Sequence, residues 1–244
     1  MDIIHVPTND SPFLLVSKPA GIPSAPLFEG DDSVLTQAVE MYPQIASVHG
    51  KKQVEHGLVH RIDTETSGLV LIATSQQSYD SLIQSQKEGK FQKWYRAEIE
   101  RIPDCASRLG GFPPLPEEIR SYSSSCDGDT FVIQSAFRAF AQKGREVRPV
   151  TNDAGRAAQK KGGSVLYSTE ICLEDRNTAI CRIKAGFRHQ VRCHLAWCGF
   201  PVKGDRIYNP NEKESDIKSG IMKFFACKIS FPHPLTGLPL VFQM

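Results

Sequence analysis

At 244 residues, with 40% hydrophobic and 23% charged positions, the chain has the composition of an ordinary globular protein, long enough to bury a core as one large domain or two small ones. Its formal net charge of +2 is too slight to announce a polyanionic partner, and neither an export signal in the first ten residues nor a window of membrane-spanning apolar length is found. Seven cysteines, odd in number and without a Cys-x-x-Cys spacing, argue against a disulfide framework or a zinc ribbon and make the reducing cytoplasm the default location.

Phe13-Leu14-Leu15-Val16 reads as a short buried strand, and two prolines and a glycine in Lys18-Pro19-Ala20-Gly21-Ile22-Pro23 stop it in a fixed turn. Asp32 or Ser33 can cap a helix whose inner stripe is Leu35, Ala38, Val39 and Tyr42; Pro43 closes it, and it should pack over a sheet. Residues 46–57, rich in His, Lys and Gly, read as a loop delivering the chain to His60-Arg61-Ile62-Asp63-Thr64-Glu65-Thr66-Ser67-Gly68. The uncharged run Leu69-Val70-Leu71-Ile72-Ala73-Thr74 follows as a fully buried strand. Thr74 or Ser75 starts a helix with Tyr79, Leu82 and Ile83 inward, ended by Gly89. Residues 94–100 alternate as a strand, with Tyr95, Ala97 and Ile99 on one face.

From 103 to 163 the pattern weakens into turn chemistry at Gly110-Gly111, Pro113-Pro114, Pro116, Ser121 to Ser125 and Cys126-Asp127-Gly128-Asp129. Residues 131–133 and 136–141 read as two short strands, and 138–161 as an exposed, mobile basic segment. Residues 165–173 and 179–185 are strands joined at a turn near Asp175-Arg176-Asn177. A helix over 188–198 has Val191, Leu195 and Cys198 on its inner stripe, with Arg188, Gln190 and Arg192 near its start, where free amides favour an anion. Residues 223–231 alternate with Phe225, Cys227, Ile229 and Phe231 on one face, and a turn at 234–237 leads to a last strand.

The small net charge hides an uneven distribution. Residues 1–60 hold three Lys/Arg against seven Asp/Glu, whereas 138–161 hold seven against two and 182–206 six against one, which suits a phosphate-neutralising face in the second half. No glycine-rich phosphate loop is present, so no nucleotide cofactor is expected. His56 and His60 are separated by four positions with Gly57 between them, His189 and His194 by five, and no His-Glu-x-x-His exists, so no metal is expected either. What remains is a carboxylate at the mouth of a buried strand. Asp63, with Arg61 two residues before it and hydroxyls at Thr64, Thr66 and Ser67, is either a packed-in catalytic group or a residue that ties down a turn. A carboxylate in such a place can stabilise oxocarbenium charge at a sugar carbon, as in retaining glycosidases, and Asp63 with Glu65 leaves a glycoside or nucleoside hydrolase open as a rival.

His60-Arg61-Ile62-Asp63-x-x-Thr66-Ser67-Gly68 resembles the signature of the RluA-type RNA pseudouridine synthases, with Ile62 where Leu is usual. Leu15-Val16-Ser17-Lys18-Pro19-Ala20-Gly21, Lys93-Trp94-Tyr95-Arg96-Ala97, His189-Gln190-Val191-Arg192-Cys193-His194 and the stretch from Gly199 to Tyr208 agree in the family's order. The resemblance implies an α+β fold with a mixed, largely antiparallel sheet flanked by helices around a central catalytic cleft. It implies a single catalytic domain over 1–244 without a separate N-terminal RNA-binding domain, acting without a cofactor as a cytoplasmic monomer on a ribosomal or transfer RNA stem-loop. Asp63 is then the catalytic residue, Tyr95 stacks on the target uracil and shares in proton transfer, Arg192 pairs with Asp63, and Arg61 helps fill the space the flipped nucleotide leaves. Arg188 is a substrate-binding candidate, although Gly186-Phe187-Arg188 carries its Arg one place later than the family's pattern. Phe224-Phe225-Ala226 replaces the usual Leu-His-Ala, a change that reads as packing.

Overall fold

The computed structural model of the chain describes residues 1–28, 30–120, 128–213 and 220–244, so the turn read at Ser121 to Ser125 and Cys126-Asp127 lies outside the described residues. The chain forms two compact units, residues 1–94 with 225–244, and residues 95–224. In chain order the first holds β1 (Asp2–His5), β2 (Phe13–Lys18), α1 (Val34–Met41), β3 (Ser67–Ala73) and α2 (Gln76–Lys87), and β4 (Gln92–Glu98) leads into the second. That unit contains α3 (Cys105–Leu109), α4 (Glu117–Arg120), β5 (Thr130–Phe140), β6 (Glu146–Val150), α5 (Arg156–Lys161), β7 (Tyr167–Leu173), β8 (Thr178–Ile183), α6 (Gln190–Trp197) and α7 (Pro210–Lys213). β9 (Phe224–Pro232) brings the chain back and β10 (Pro239–Gln243) completes the first unit. The fold is α+β, its strand pairings mixed but largely antiparallel.

In the first unit the strands run β1-β2-β3-β9, with β10 on β9, and only the β3–β9 pair is parallel. β2 and β3 pair from Phe13 opposite Ala73 to Lys18 opposite Gly68. Every residue from Gly68 to Ala73 is buried, so both faces of β3 are covered, and its near-continuous apolar run follows from that. Phe13, Leu15, Leu71, Leu82, Phe91 and Phe231 belong to its core. Ser33 caps α1 by accepting the Thr36 amide at 3.0 Å, and Ser75 caps α2 through the Ser78 amide at 3.2 Å. The stripe of α1 is narrower than its periodicity predicts, with Val34, Leu35 and Ala38 buried and Val39 and Tyr42 half-buried. The loop predicted over 46–57 is bounded and interrupted by two short 3-10 helices, Pro43–Ser47 at its start and Gln53–Glu55 near its end. Gly68 opens β3 at φ +115°, and a Cβ there would lie 2.4 Å from the Ala226 carbonyl oxygen of β9. That close approach is where glycine's lack of a side chain is required.

In the second unit β8, β7, β5 and β6 form an antiparallel array in that order. The two short strands predicted over 131–141 are one strand, β5, long enough to pair first with β7 and then with β6. The basic stretch 138–161 is not exposed throughout. β6 is buried along its whole length, and Arg148 within it is wholly enclosed. Its guanidinium donates to the carbonyls of Gly110, Val147 and Leu109 and to the Glu146 carboxylate, and it stacks over Phe112 and Phe140. All eight residues of α6 are buried, where the sequence suggests only a stripe. The alternation read over 223–231 slips: Phe224 and Ala226 are buried, then Ile229 and Phe231, while Phe225 and Cys227 are half-buried. β9 changes neighbours along its length, meeting β3 at Phe225-Ala226 and β10 from Lys228 onward. Among the described residues no helix is long and apolar enough to cross a membrane.

Candidate active site

The segment that carries the central motif is fixed to β3 before it turns. The Val59 amide donates to the Leu71 carbonyl at 3.1 Å, and the Ala73 amide to the Gly57 carbonyl at 2.8 Å. His60 is part of this seam: its Nε2 accepts the Leu71 amide at 3.2 Å, and burial, followed by the charge of Lys93, holds the imidazole well below its ordinary value and therefore neutral. Ser24 then grips Ile62 twice, donating to its carbonyl at 2.9 Å and accepting its amide at 3.1 Å. Asp63 follows, half-buried, and the Thr66 amide closes a turn onto the Asp63 carbonyl at 3.0 Å with Thr64 and Glu65 at the corners.

The corner itself is held from outside. The Thr64 carbonyl accepts the Gly21 amide at 2.8 Å and the Lys18 Nζ at 2.9 Å, and the same ammonium donates to the carbonyls of Pro19 at 2.9 Å and Ile22 at 2.7 Å. Lys18 is thus the knot between the turn after β2 and the Asp63 turn. Burial brings its ammonium down to about 8, a fall limited by the negative charges of Glu65 and Asp63. Arg61 points the other way, its Nη1 3.1 Å from the Glu55 carboxylate, with most of its side chain in solvent.

In the second unit, Tyr95 lies on the buried face of β4 with its ring stacked on Phe224 at 5.0 Å and an interplanar angle of 8°. Arg192 sits in the first turn of α6, 2% exposed, and makes a bidentate pair with Asp205: Nε to Oδ2 at 2.7 Å and Nη2 to Oδ1 at 2.8 Å. Asp205 Oδ1 also accepts the amides of Ile207 and Tyr208. The resemblance pairs Arg192 with Asp63; the partner seen within this unit is Asp205, a residue the sequence reading quotes in a motif but assigns no role. The burial of α6 follows from polar groups that meet on it. Gln190 Nε2 donates to the Ser168 carbonyl and Thr169 Oγ1, and His194 is linked to Thr169 at 2.8 Å and Ser135 at 2.9 Å, with burial pushing the imidazole down to about 3. His189 Nδ1 meets the Tyr208 hydroxyl at 3.1 Å. Arg188 is turned to the backbone, donating to the Gly144 and Glu146 carbonyls, and Phe187 stacks on Phe137 at 5.0 Å. Among the described residues no group of three or more His, Cys, Asp or Glu is placed to hold a metal ion.

Residues 12–197 match the RNA pseudouridylate synthase family. The chain belongs to that family. Among family relatives, the ribosomal large subunit pseudouridine synthase D of Zymomonas mobilis is 26% identical over 246 residues, covering 98% of this chain and 68% of the relative. The dual-specificity RNA pseudouridine synthase RluA of Escherichia coli is 27% identical over 239 residues, covering 96% and 90%. In fold, the human RNA pseudouridylate synthase domain containing 1 superposes with a TM-score of 0.63 at 17% identity, over 100% of this chain and 82% of that one. An RNA pseudouridylate synthase is an isomerase, and the chemistry of this member has to come from the groups just described. Two of them, Lys18 and Asp205, escape a local reading because one partner of each, the Thr64 carbonyl and the Arg192 guanidinium, lies 46 and 13 residues away. For Lys18 the available signal was a charged residue closing an apolar run, which burial obliges to find an acceptor or counter-charge.

Proposed function

We propose that this chain isomerises specific uridines in structured RNA, ribosomal or transfer RNA, to pseudouridine through Asp63 after the target base has been taken out of its stack. The reading is carried by the mounting of Asp63: a half-buried carboxylate on a turn whose backbone is gripped by Ser24, Gly21 and the Lys18 ammonium, at the entrance of a strand buried on both faces. A carboxylate that cannot drift is what a reaction through oxocarbenium-like charge at C1′ needs, because the stabilising charge is already in place when the glycosidic bond breaks. Asp63 serves as nucleophile at the sugar or as base in glycal formation, and the freed uracil turns and rejoins through C5. Tyr95 stacks on the uracil and shares in moving the C5 proton. Arg192 supports the Asp63 carboxylate, Arg61 fills the space left by the flipped nucleotide, and Arg188 contributes to RNA binding through the β5–β6 hairpin whose carbonyls it holds. The net reaction is an isomerisation and needs no cofactor.

We read the whole chain as one catalytic domain working as a monomer in the cytoplasm. No disulfide joins the six described cysteines, in keeping with a reducing compartment. The names of the relatives carry ribosomal and dual-specificity RNA synthases, and target choice here falls to the basic second half. The test is Asp63→Asn: pseudouridine mapping of total RNA from cells carrying the wild type, the variant or neither should show one or more sites lost with the gene and not restored by the variant. The purified variant should still bind the RNA. Undiminished pseudouridine from Asp63→Asn would reject the role given to this carboxylate.

A further inference from the structure

The β5–β6 hairpin and the segment that follows it carry a charged surface that no contact within the second unit accounts for. Residues 138–161 hold seven Lys/Arg against Glu146 and Asp153. Two of the seven are taken up inside the unit: Arg148 by backbone carbonyls and the Glu146 carboxylate, Arg138 by the Gly111 carbonyl and the Phe140 ring. The other five, Lys143, Arg145, Arg156, Lys160 and Lys161, are exposed, and none of their side chains has an acceptor among the described residues. Asp153 is the one exposed acid of the stretch. The five stand in two groups on a fixed frame. Lys143 and Arg145 flank Gly144 at the hairpin tip, whose backbone Arg188 braces by donating to the Gly144 and Glu146 carbonyls. Arg156, Lys160 and Lys161 lie on α5, which is tied to the other end of the hairpin: the Gly163 amide donates to the Phe137 carbonyl at 3.1 Å, and a Cβ on Gly162 would meet the Val150 side chain at 3.1 Å. From the pair Phe140–Glu146 near the tip to the pair Ala136–Val150 at the base is ~14 Å of strand. None of the six residues of α5 is buried, so packing into the core does not explain the helix. Arg156 and Lys160, four apart, put like charges on one side of it, an arrangement that weakens a short helix until an anion neutralises it.

We infer that this surface grips the phosphate backbone of a base-paired stem in the substrate RNA, outside the target nucleotide. Unpaired bases are held by stacking on exposed rings, and the only ring between 138 and 161, Phe140, has the guanidiniums of Arg138 and Arg148 over it. Exposed cations without free rings suit a duplex, which presents its phosphates outward and keeps its bases stacked inside. Two groups of cations set ~14 Å apart on a braced hairpin reach more than one phosphate, which orients the stem and leaves its sequence unread. The inference deepens the proposed function and rests on its RNA substrate, and the test separates the two.

The full chain is titrated by fluorescence anisotropy with two dodecamer RNA duplexes of different sequence and with single-stranded dodecauridylate, each over a series of salt concentrations. The tip variant Lys143→Gln with Arg145→Gln, and the α5 variant Arg156→Gln with Lys160→Gln and Lys161→Gln, should each bind both duplexes roughly five- to tenfold more weakly at about 0.1 M salt. Their salt slopes should fall by roughly 0.7–0.9 for each phosphate contact removed, and dodecauridylate should lose less than about twofold. Lys87→Gln with Lys90→Gln, which takes as much charge from the first unit as the tip variant takes from the second, should bind the duplexes like the wild type. All five residues of the surface are exposed, so neither set of substitutions disturbs the core. Unchanged salt slopes overturn the inference, as do equal losses on duplex and single strand or equal losses in the Lys87 and Lys90 control. Asp63→Asn should keep the wild-type slope. Duplex binding through these residues in a protein that forms no pseudouridine would leave the surface assigned and remove the catalytic reading. Pseudouridine formed by a protein whose tip and α5 variants bind duplex like the wild type would do the reverse.

Discussion

The Arg192–Asp205 pair is almost completely removed from solvent, and its worth is asymmetric. Replacing both partners by apolar groups of similar size is often close to neutral, whereas removing one strands a charge at a cost of about 3–5 kcal/mol. Asp205→Asn should therefore lower stability toward that range in urea titration and depress activity with it, because Arg192 loses the two-pronged grip that fixes its plane. The double variant Arg192→Met with Asp205→Asn, which strands no charge and keeps an acceptor for the Ile207 and Tyr208 amides, should be more stable than Asp205→Asn alone and recover none of the activity. Recovery of both would show that neither residue takes part in the reaction. Lys93 presents the opposite case. It is 8% exposed, no described residue accepts a hydrogen bond from it, and burial, with the charge of Lys51 adding to it, lowers its ammonium to about 8. Between about pH 8 and the ordinary lysine value the unfolded chain binds more protons than the folded one, so this group's contribution to stability rises with pH across that window. Lys93→Met should be more stable than the wild type at pH 7, by about 1–3 kcal/mol. The advantage should shrink as the pH is raised from about 8 to 10.5; a difference independent of pH would mean that Lys93 is not strained by its burial.

At the level of elements, β3 is where the architecture meets the chemistry proposed for Asp63, because the turn that presents this carboxylate runs straight into it. Gly68 is its weak point. With φ at +115° and the Ala226 carbonyl in the space of a side chain, Gly68→Ala has to push β9 away from β3. A loss of at least about 2 kcal/mol follows from the strained backbone together with the clash. Hydrogen exchange should quicken in β3 and β9 before it does in β7 and β8, and unchanged protection of β3 would contradict that account of the close approach. β3, α2 and the β7–β8 hairpin were legible beforehand because each carries a local signature: an uncharged β-branched run, a Ser cap ahead of an apolar stripe, a turn with Asp175 Oδ1 accepting the Asn177 amide. β6 was not. Its Arg148 looks like surface charge until the carbonyls of Leu109 and Gly110, nearly 40 residues earlier, are seen to accept from it. The role of Asp205 was hidden for the same reason, since its partner is fixed by packing and not by spacing. Around the Asp63 turn, the motif singled out Asp63 and Arg61 as candidates but gave no hint that Lys18 and Ser24 hold the backbone there.

For the molecule as a whole, no disulfide joins the six described cysteines and four of them are buried, with burial pushing the Cys105 thiol up to about 12 and that of Cys198 well above its ordinary range. Thermal unfolding should consequently have the same midpoint with and without a reducing agent, and a midpoint that falls on reduction would reveal a cross-link that these six do not make. The first unit draws on two distant parts of the polypeptide, residues 1–94 and 225–244. During synthesis on the ribosome, β1, β2 and β3 therefore emerge well before β9, with 130 residues of the other unit to be translated in between, at roughly 5–20 residues per second. For those several seconds the Ser67-Gly68 end of β3 has no β9 beside it, so the nascent chain carries the Asp63 turn on an unfinished sheet until the final hairpin has left the exit tunnel.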